Sequence, residues 1–256
     1  MTFRYRDALI PRGTLLNTAT VAIGGLIGWA LSILASSALD RSYHDIVFSG
    51  LGIVTIGIGL KMLLGAKNVL VVAAAIALGG VLGKLMGIHE SLEGLAEWMK
   101  QVLGAENDQG FVSIMVGTSV LFCVGPMTLL GCIQERLENK IELLSLKSTM
   151  DGVGSIFFGA ISGPAVLATA GVVLVFQSLL TFAAKPLKPL VDDEDMLADL
   201  SGAGGVMLVA TGLGLLVLNK GPALRELQLP VSNYLPSLVL APLFVLVGHR
   251  FRRRSQ

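Results

Sequence analysis

The stretch GAGGVMLVATGLGLLVL, residues 202–218, decides the fold class of this sequence. It contains no charged residue, its polar side chain is Thr211, and glycine recurs along it. A helix needs about 20 apolar residues to cross about 30 Å of hydrocarbon, because each residue adds about 1.5 Å. The stretch is therefore predicted to be a short, glycine-rich membrane helix.

Composition extends this prediction to the whole chain. Of 256 residues, 53% are hydrophobic and 14% are charged, and the mean hydropathy is +0.75. Soluble domains are about a quarter charged, so this chain has too few polar residues to cover a water-exposed surface. We expect an all-α, polytopic integral membrane protein whose main partner is the lipid bilayer. The formal net charge of +1 gives no reason to expect nucleic acid binding.

Charge placement favours eight spans over seven. The apolar segments are Thr14–Ser36, Ile46–Leu64, Asn68–Leu85, Phe111–Ile133, Leu146–Ser162, Pro164–Ala184, Gly202–Leu218 and Val231–His249. The fifth and sixth could instead form one broken helix, which would give seven. Cytoplasmic segments are enriched in Lys and Arg. With eight spans and both termini inside, 14 of the 19 Lys and Arg residues lie in inside segments and 5 lie outside. We therefore predict eight spans with cytoplasmic termini.

Two glycine-rich segments resemble each other. Residues 49–60 and 201–215 both begin with Ser-Gly-x-Gly and end with Gly-x-Gly-Leu. As the second and seventh spans they would cross in opposite directions, as in the inverted repeats of secondary transporters. We predict a single membrane domain, residues 1–256, with repeat halves at 13–90 and 146–251. The linker region between them contains an amphipathic, Trp-bearing pattern that predicts an interfacial helix near 91–103.

The first and third predicted spans share a glycine motif. Residues 23–28 and 78–83 both contain Gly-x-x-x-Gly, which lets two helix backbones approach closely in lipid. We interpret these faces as contacts within the chain. The alternative is that these faces form an interface between two copies of the chain. Because of this alternative we also predict a homo-oligomer.

Polar residues at membrane depth are costly and point to function. Asp151 is the carboxylate inside the predicted spans, and Lys147 lies one helical turn before it. An interfacial ion pair at a helix end and a substrate or ion site both fit this spacing. Asn17 and Asn233 open the first and last spans, where each could bind a solute or satisfy the backbone of a neighbouring helix.

Glycine–proline pairs are predicted to break two helices. Gly125-Pro126 lies midway along the fourth span, and Gly163-Pro164 divides the fifth from the sixth. Proline frees a backbone carbonyl one turn earlier, and such groups are tolerated at membrane depth only against protein or a watery cavity. Broken helices form the ion and substrate sites of many transporters. A purely structural kink is the alternative.

Motifs for membrane chemistry are missing from the sequence. It contains no His-x-x-x-His, no Gly-x-Ser-x-Gly and no Walker loop, and no pair of carboxylates lies within the predicted spans. We therefore expect a protein that is not an enzyme, has no cofactor or metal site, and drives no transport with ATP.

Several stretches, in a fixed order, resemble a known family. They are Gly13 to Asn17 with Gly24-Gly25, Phe122 to Met127 with Gly131, Lys147 to Asp151, Ser201 to Leu216, and Asn233 to Pro236. Nearly end to end, the chain resembles the bacterial domain-of-unknown-function family 554, whose members are often labelled YdfK-like transport proteins. The resemblance implies a bacterial inner-membrane protein, and the label implies transport without naming a substrate.

Two functions from different classes follow. The first is a secondary transporter or channel for a small solute or ion. Its substrate or ion site would lie where the Gly-Pro breaks approach Asn17, Asp151 and Asn233, and would include Gly125 and Pro126. The second is a non-transporting scaffold or regulator that assembles through its glycine faces. The second function predicts a solid helix bundle without a polar cavity.

Overall fold

The structure, a computed structural model, describes residues 11–34, 41–108, 110–217 and 229–254, and every element in these ranges is helical. The α-helices are α1 (Arg12–Leu34), α2 (Arg41–Leu64), α3 (Val69–Leu85), α4 (Ile88–Val102), α5 (Phe111–Cys123), α6 (Pro126–Glu138), α7 (Glu142–Phe182), α8 (Ala184–Asp192), α9 (Glu194–Val217) and α10 (Ser237–Arg254). A 3-10 turn, Val231–Tyr234, precedes α10. The predicted all-α fold class is confirmed.

Local sequence determines several helix ends. The Asn68 side chain accepts hydrogen bonds from the backbone N–H groups of Leu70 and Val71, at 3.1 and 3.3 Å, and so begins α3. Gly87 has a φ of 64°, which permits the sharp turn from α3 into α4. The helix α4 covers all but the last residue of the predicted interfacial segment, 91–103, and the position of this segment at the membrane interface stays a prediction.

The long helix α7 is interrupted at its centre. Its 41 residues would extend about 60 Å if straight, twice the thickness of the hydrocarbon layer. Ser162 has non-helical backbone angles, φ −145° and ψ 82°, and Pro164 follows it. We call residues 142–161 the first arm of α7 and residues 163–182 the second arm.

Both arms of α7 pack against α1. Trp29 lies against Gly163 at the interruption. Moving from Trp29 toward the start of α1, Gly28 lies against the backbone of the first arm at Ile156, and Gly25 lies against Val166 of the second. Both arms therefore run along α1 from the same point, and the chain reverses direction at Ser162. The Gly-Pro break predicted between the fifth and sixth segments lies at this reversal.

The helices α2 and α9 pair through glycines. A side chain at Gly52 would meet the backbone oxygen of Gly212 at 2.9 Å, and one at Gly59 would meet that of Gly205 at 2.6 Å. The two contacts run in opposite order along the helices, so α2 and α9 are antiparallel. The predicted glycine face of α3 is also used within the chain, since Gly83 lies against the backbone of Asn233.

Apolar surface and helix length agree with a membrane location. The outward faces of α1, α2 and α3 expose large apolar side chains, such as Leu34, Ile53 and Leu70. Within the described ranges, α1, α7 and α9 are long and apolar enough to span a membrane, and the number is up to five if the bent pairs α3–α4 and α5–α6 each form one span. Shorter apolar helices cover Ser49–Leu64 and Val231–Val247. The total of eight spans stays a prediction.

Candidate functional site

A buried ion pair lies on the first arm of α7. Lys147 Nζ is 2.8 Å from Asp151 Oδ2, and the side chains of Lys147 and Asp151 are only 9% and 8% exposed. Asn17 of α1 is fully buried and donates from Nδ2 to Asp151 Oδ2 at 3.0 Å. Two helices therefore hold the Asp151 carboxylate, and we call these three residues the polar triad.

Glycine contacts bring the triad together. Gly24 lies against the backbone of Gly152, and Gly28 lies against that of Ile156. Because the two backbones touch, the short Asn17 side chain on α1 reaches Asp151 on α7. The ion pair lies inside α7, which begins at Glu142, so it does not mark the end of a helix.

The break between α5 and α6 lies beside the triad. The two helices meet at an angle of 56°, across Gly125, whose φ of 142° is one that only glycine adopts easily. The Phe122 ring lies against Gly154, one turn beyond Asp151. The end of α5 therefore packs against the first arm of α7 near Asp151, and a role of Gly125 and Pro126 in the site stays a prediction.

Asn233 contacts α3 and α4 rather than the helices of the polar triad, so the structure does not bring it together with Asn17 and Asp151. Its Oδ1 accepts a hydrogen bond from the backbone N–H of His89 at 3.0 Å. Gly83, at the end of α3, lies against the backbone of Asn233. The 3-10 turn docks Asn233 on the junction of α3 and α4, where it satisfies a backbone donor near the start of α4. This is the backbone role that the sequence left open for Asn233.

A polar cavity lies between α4, α5, α9 and the 3-10 turn. Its volume is about 270 Å³, and its polar side chains include His89, Glu93, Ser113 and Thr211. His89 Nε2 is 3.2 Å from Glu93 Oε1. The lining extends along α5 to Val120, less than one turn before α5 ends. The sequence does not predict this cavity, although the four-residue spacing of His89 and Glu93 on an amphipathic helix was a usable signal.

Two buried carboxylates lie just outside the predicted spans. Glu135 of α6 accepts a hydrogen bond from the backbone N–H of Gly13 at 2.6 Å. Asp199 of α9 accepts one from the backbone N–H of Asn68 at 2.8 Å. Their positions were missed because hydropathy ends the fourth span at Ile133 and begins the seventh at Gly202. Each binds a backbone group at the start of a distant helix.

The side chains that most often bind metals are not clustered in the described part of the chain. There, no group of three or more His, Cys, Asp or Glu residues is placed to hold a metal ion. Cys123 and Cys132 are both buried thiols. The expectation of a protein without metal or cofactor stays a prediction.

Residues 12–246 match the profile of a family described as "Protein of unknown function (DUF554)". The chain belongs to this family. One relative of this DUF554 protein is the "Uncharacterized membrane protein YdfK" of Bacillus subtilis (strain 168), 24% identical over 247 residues, which are 94% of this chain and 99% of the relative. No solved structure gives a significant match.

A second relative belongs to another bacterium. The "Uncharacterized protein YqgA" of Escherichia coli (strain K12) is 27% identical over 233 residues, 90% of this chain and 94% of the relative. The resemblance drawn from the motifs is confirmed. With its long apolar helices, the DUF554 protein is an all-α, polytopic membrane protein.

Proposed function

We propose that this DUF554 protein is a secondary transporter or channel for a small solute or ion, neither an enzyme nor driven by ATP. The observation that carries the proposal is the polar triad, Asn17, Lys147 and Asp151, buried beside the α5–α6 break. Ionisable side chains at membrane depth are costly and mark substrate and ion pathways. Broken helices add backbone groups that can bind the transported species.

The polar cavity supports transport over the scaffold alternative. It begins at His89 and Glu93 and extends along α5 to Val120, near the break. A scaffold would be a solid bundle that presents its glycine faces to a partner. Instead, Gly28 and Gly59 each contact a helix of the same chain. A homo-oligomer stays a prediction.

The contacts between α2 and α9 support an inverted repeat. Gly52 and Gly59 on α2 have the same seven-residue spacing as Gly205 and Gly212 on α9. The two contacts are Gly52 with Gly212 and Gly59 with Gly205. If Gly52 changes places with Gly205, and Gly59 with Gly212, the same two contacts result. A two-fold axis between antiparallel helices generates this relation. This register makes Gly52 equivalent to Gly205 and Gly59 equivalent to Gly212, whereas the sequence similarity aligns them with Gly204 and Gly214.

We further propose a bacterial inner (cytoplasmic) membrane location with both termini cytoplasmic. Gly13 lies against Leu144, so α1 and the first arm of α7 begin on the same side. Lys67 Nζ is 3.8 Å from Asp195 Oδ1, so the α2–α3 and α8–α9 connections also share a side. Lys and Arg are concentrated in these connections, which supports the cytoplasmic assignment.

Transport is tested with the purified full-length protein in liposomes. A screen of inorganic ions and small metabolites should find at least one species whose flux exceeds that of empty liposomes. Asp151→Asn should lower this flux by about tenfold or more, a change of about 1.4 kcal/mol in the barrier. Asp199→Asn is the matched control, because it also neutralises a buried aspartate and keeps an acceptor for Asn68. No flux above empty liposomes across the screen would contradict the proposal.

A further inference from the structure

We propose that the first turns of α1 bind an alkali-metal cation, Na⁺, through side-chain oxygens of Thr14, Asn17 and Glu135. The inference rests on the proposed function, since the cation would be the coupling ion of the transporter. The inference also goes beyond the proposed function, because it names the ion and a binding site for that ion. This site lies next to the Lys147–Asp151 pair but is distinct from it.

Three buried oxygens lie in this region without a partner. Thr14 Oγ1, Asn17 Oδ1 and Glu135 Oε2 receive no hydrogen bond from the described residues. Thr14 and Asn17 are fully buried, and Glu135 is 8% exposed. Buried polar atoms are normally paired, so three oxygens without partners in one region form a set of acceptors for a hydrogen-bond donor or a cation.

Known contacts place these oxygens close together. Glu135 Oε1 accepts from the Gly13 N–H at 2.6 Å, which holds the carboxylate against the first turn of α1, next to Thr14. Thr14 and Asn17 are three residues apart, so their side chains are neighbours on one face of the helix. Asn17 donates from Nδ2 to Asp151, and this hydrogen bond leaves its Oδ1 to face a second group.

Charge identifies the class of ion. The buried charged side chains here are Glu135, Asp151 and Lys147, two carboxylates against one ammonium. Among these three buried side chains one negative charge is in excess, which matches one monovalent cation.

Ligand type distinguishes a metal ion from a proton. Carboxylate, amide and hydroxyl oxygens are the ligands of hard cations. A proton would bind one carboxylate oxygen, whereas a metal ion is bound by several oxygens at once. The unpaired Asn17 Oδ1 and Thr14 Oγ1 therefore favour the metal ion.

Binding is measured by thermal unfolding of the full-length protein in detergent. The protein is compared in NaCl and in choline chloride at equal ionic strength and pH. At about ten times the dissociation constant, Na⁺ should raise Tm by about 3–6 °C. Thr14→Val removes one ligand oxygen while keeping the side-chain shape, and should remove most of this shift.

Three further variants make the test specific. Thr14→Ser keeps the hydroxyl and should keep the Na⁺ shift. Ser119→Ala removes another buried hydroxyl that has no partner among the described residues, but on α5, and should also keep the shift. If Thr14→Val does not fold, Glu135→Gln takes its place, because it keeps an acceptor for Gly13 and removes the charge.

Each outcome has a defined meaning. Equal Tm values in NaCl and choline chloride would overturn the inference, as would a Tm that follows pH but not Na⁺, or a full shift in Thr14→Val. A Na⁺ shift lost in Thr14→Val, in a protein that passes no solute, would contradict the proposed function and leave the cation site intact. Solute flux through a protein whose Tm does not respond to Na⁺ would contradict the cation site and leave the proposed function intact.

Discussion

At the residue scale, the Lys147–Asp151 pair is the most demanding feature of the molecule. Both groups are almost completely buried, so each has lost its hydration and depends on the other. Removing one partner of a buried ion pair typically costs about 3–5 kcal/mol, because it leaves an uncompensated charge. Replacing both partners with apolar residues of similar size is much less harmful.

We therefore expect Lys147→Met to lower the free energy of unfolding by about 3–5 kcal/mol. The double variant Lys147→Met/Asp151→Leu should lose less than this single variant, because neither charge of the pair is left without its partner. Chemical unfolding of the purified proteins measures both. Lys140→Met is the control, because its ion pair with Glu138 is exposed, and its stability should change little. A double variant as unstable as Lys147→Met would contradict this explanation.

The sequence predicts the part of the site that is local in the chain. Lys147 and Asp151 are four residues apart on one helix, so their pairing follows from helical periodicity. The bonds from Asn17 to Asp151 and from Gly13 to Glu135 join residues 134 and 122 positions apart. Such long-range contacts depend on which helices touch, and local patterns such as periodicity and hydropathy do not show that.

At the element scale, α2 contains glycines of two kinds. Gly59 is buried, and a side chain there would meet the backbone oxygen of Gly205 at 2.6 Å. Gly57, two residues earlier, is exposed and has open space where a side chain would lie. The same substitution on the same helix therefore separates packing from helix propensity.

We expect Gly59→Ala to destabilise the protein by about 1–3 kcal/mol, because backbone atoms cannot move aside as a flexible side chain can. Gly57→Ala should be neutral or slightly stabilising, since alanine favours the helix. Thermal unfolding of the two variants in the same detergent compares them directly. Equal losses of stability would show that α2 and α9 do not pack through these glycines.

Sequence patterns locate the helix breaks but not their geometry. The Gly163-Pro164 pair predicts an interruption, and α7 has one at Ser162. The reversal of the chain there depends on α1, whose small residues accommodate both arms. Likewise, the Gly-x-x-x-Gly motifs predict close helix contacts, while their partners depend on the tertiary fold.

At the scale of the whole molecule, contacts sort the helix ends into two groups. Gly13 lies with Leu144, and Lys67 with Asp195, in segments rich in Lys and Arg. The other group contains the helix ends near His89, at the start of α4, where the 3-10 turn contacts that helix. These groups correspond to the cytoplasmic and external sides in the proposed orientation.

Cysteine labelling tests this orientation. In a background with Cys123 and Cys132 replaced by alanine, Glu97→Cys on α4 should react with a membrane-impermeant maleimide in intact spheroplasts. Lys140→Cys, between α6 and α7, should react only after the membrane is permeabilised. The opposite pattern would reverse the proposed orientation. Labelling of both sites in intact spheroplasts would place the two connections on one side.

Composition alone predicts the class of the molecule, because so few charged residues cannot cover a soluble surface. It does not predict the complete site. Asn233 opens the last apolar segment just as Asn17 opens the first, yet the two side chains lie in different places. Depth in the membrane follows from hydropathy, whereas position across the bundle follows from packing.

The spacing of Lys147 and Asp151 also has a consequence for biosynthesis. A lysine or aspartate at the centre of a bilayer helix opposes insertion by about 2.5–3.5 kcal/mol. Because the two residues share one helix, their ion pair forms as soon as that turn of helix forms, before α1 is in contact. The segment can therefore enter the translocon with its opposite charges already paired, and Asn17 joins when the helices assemble.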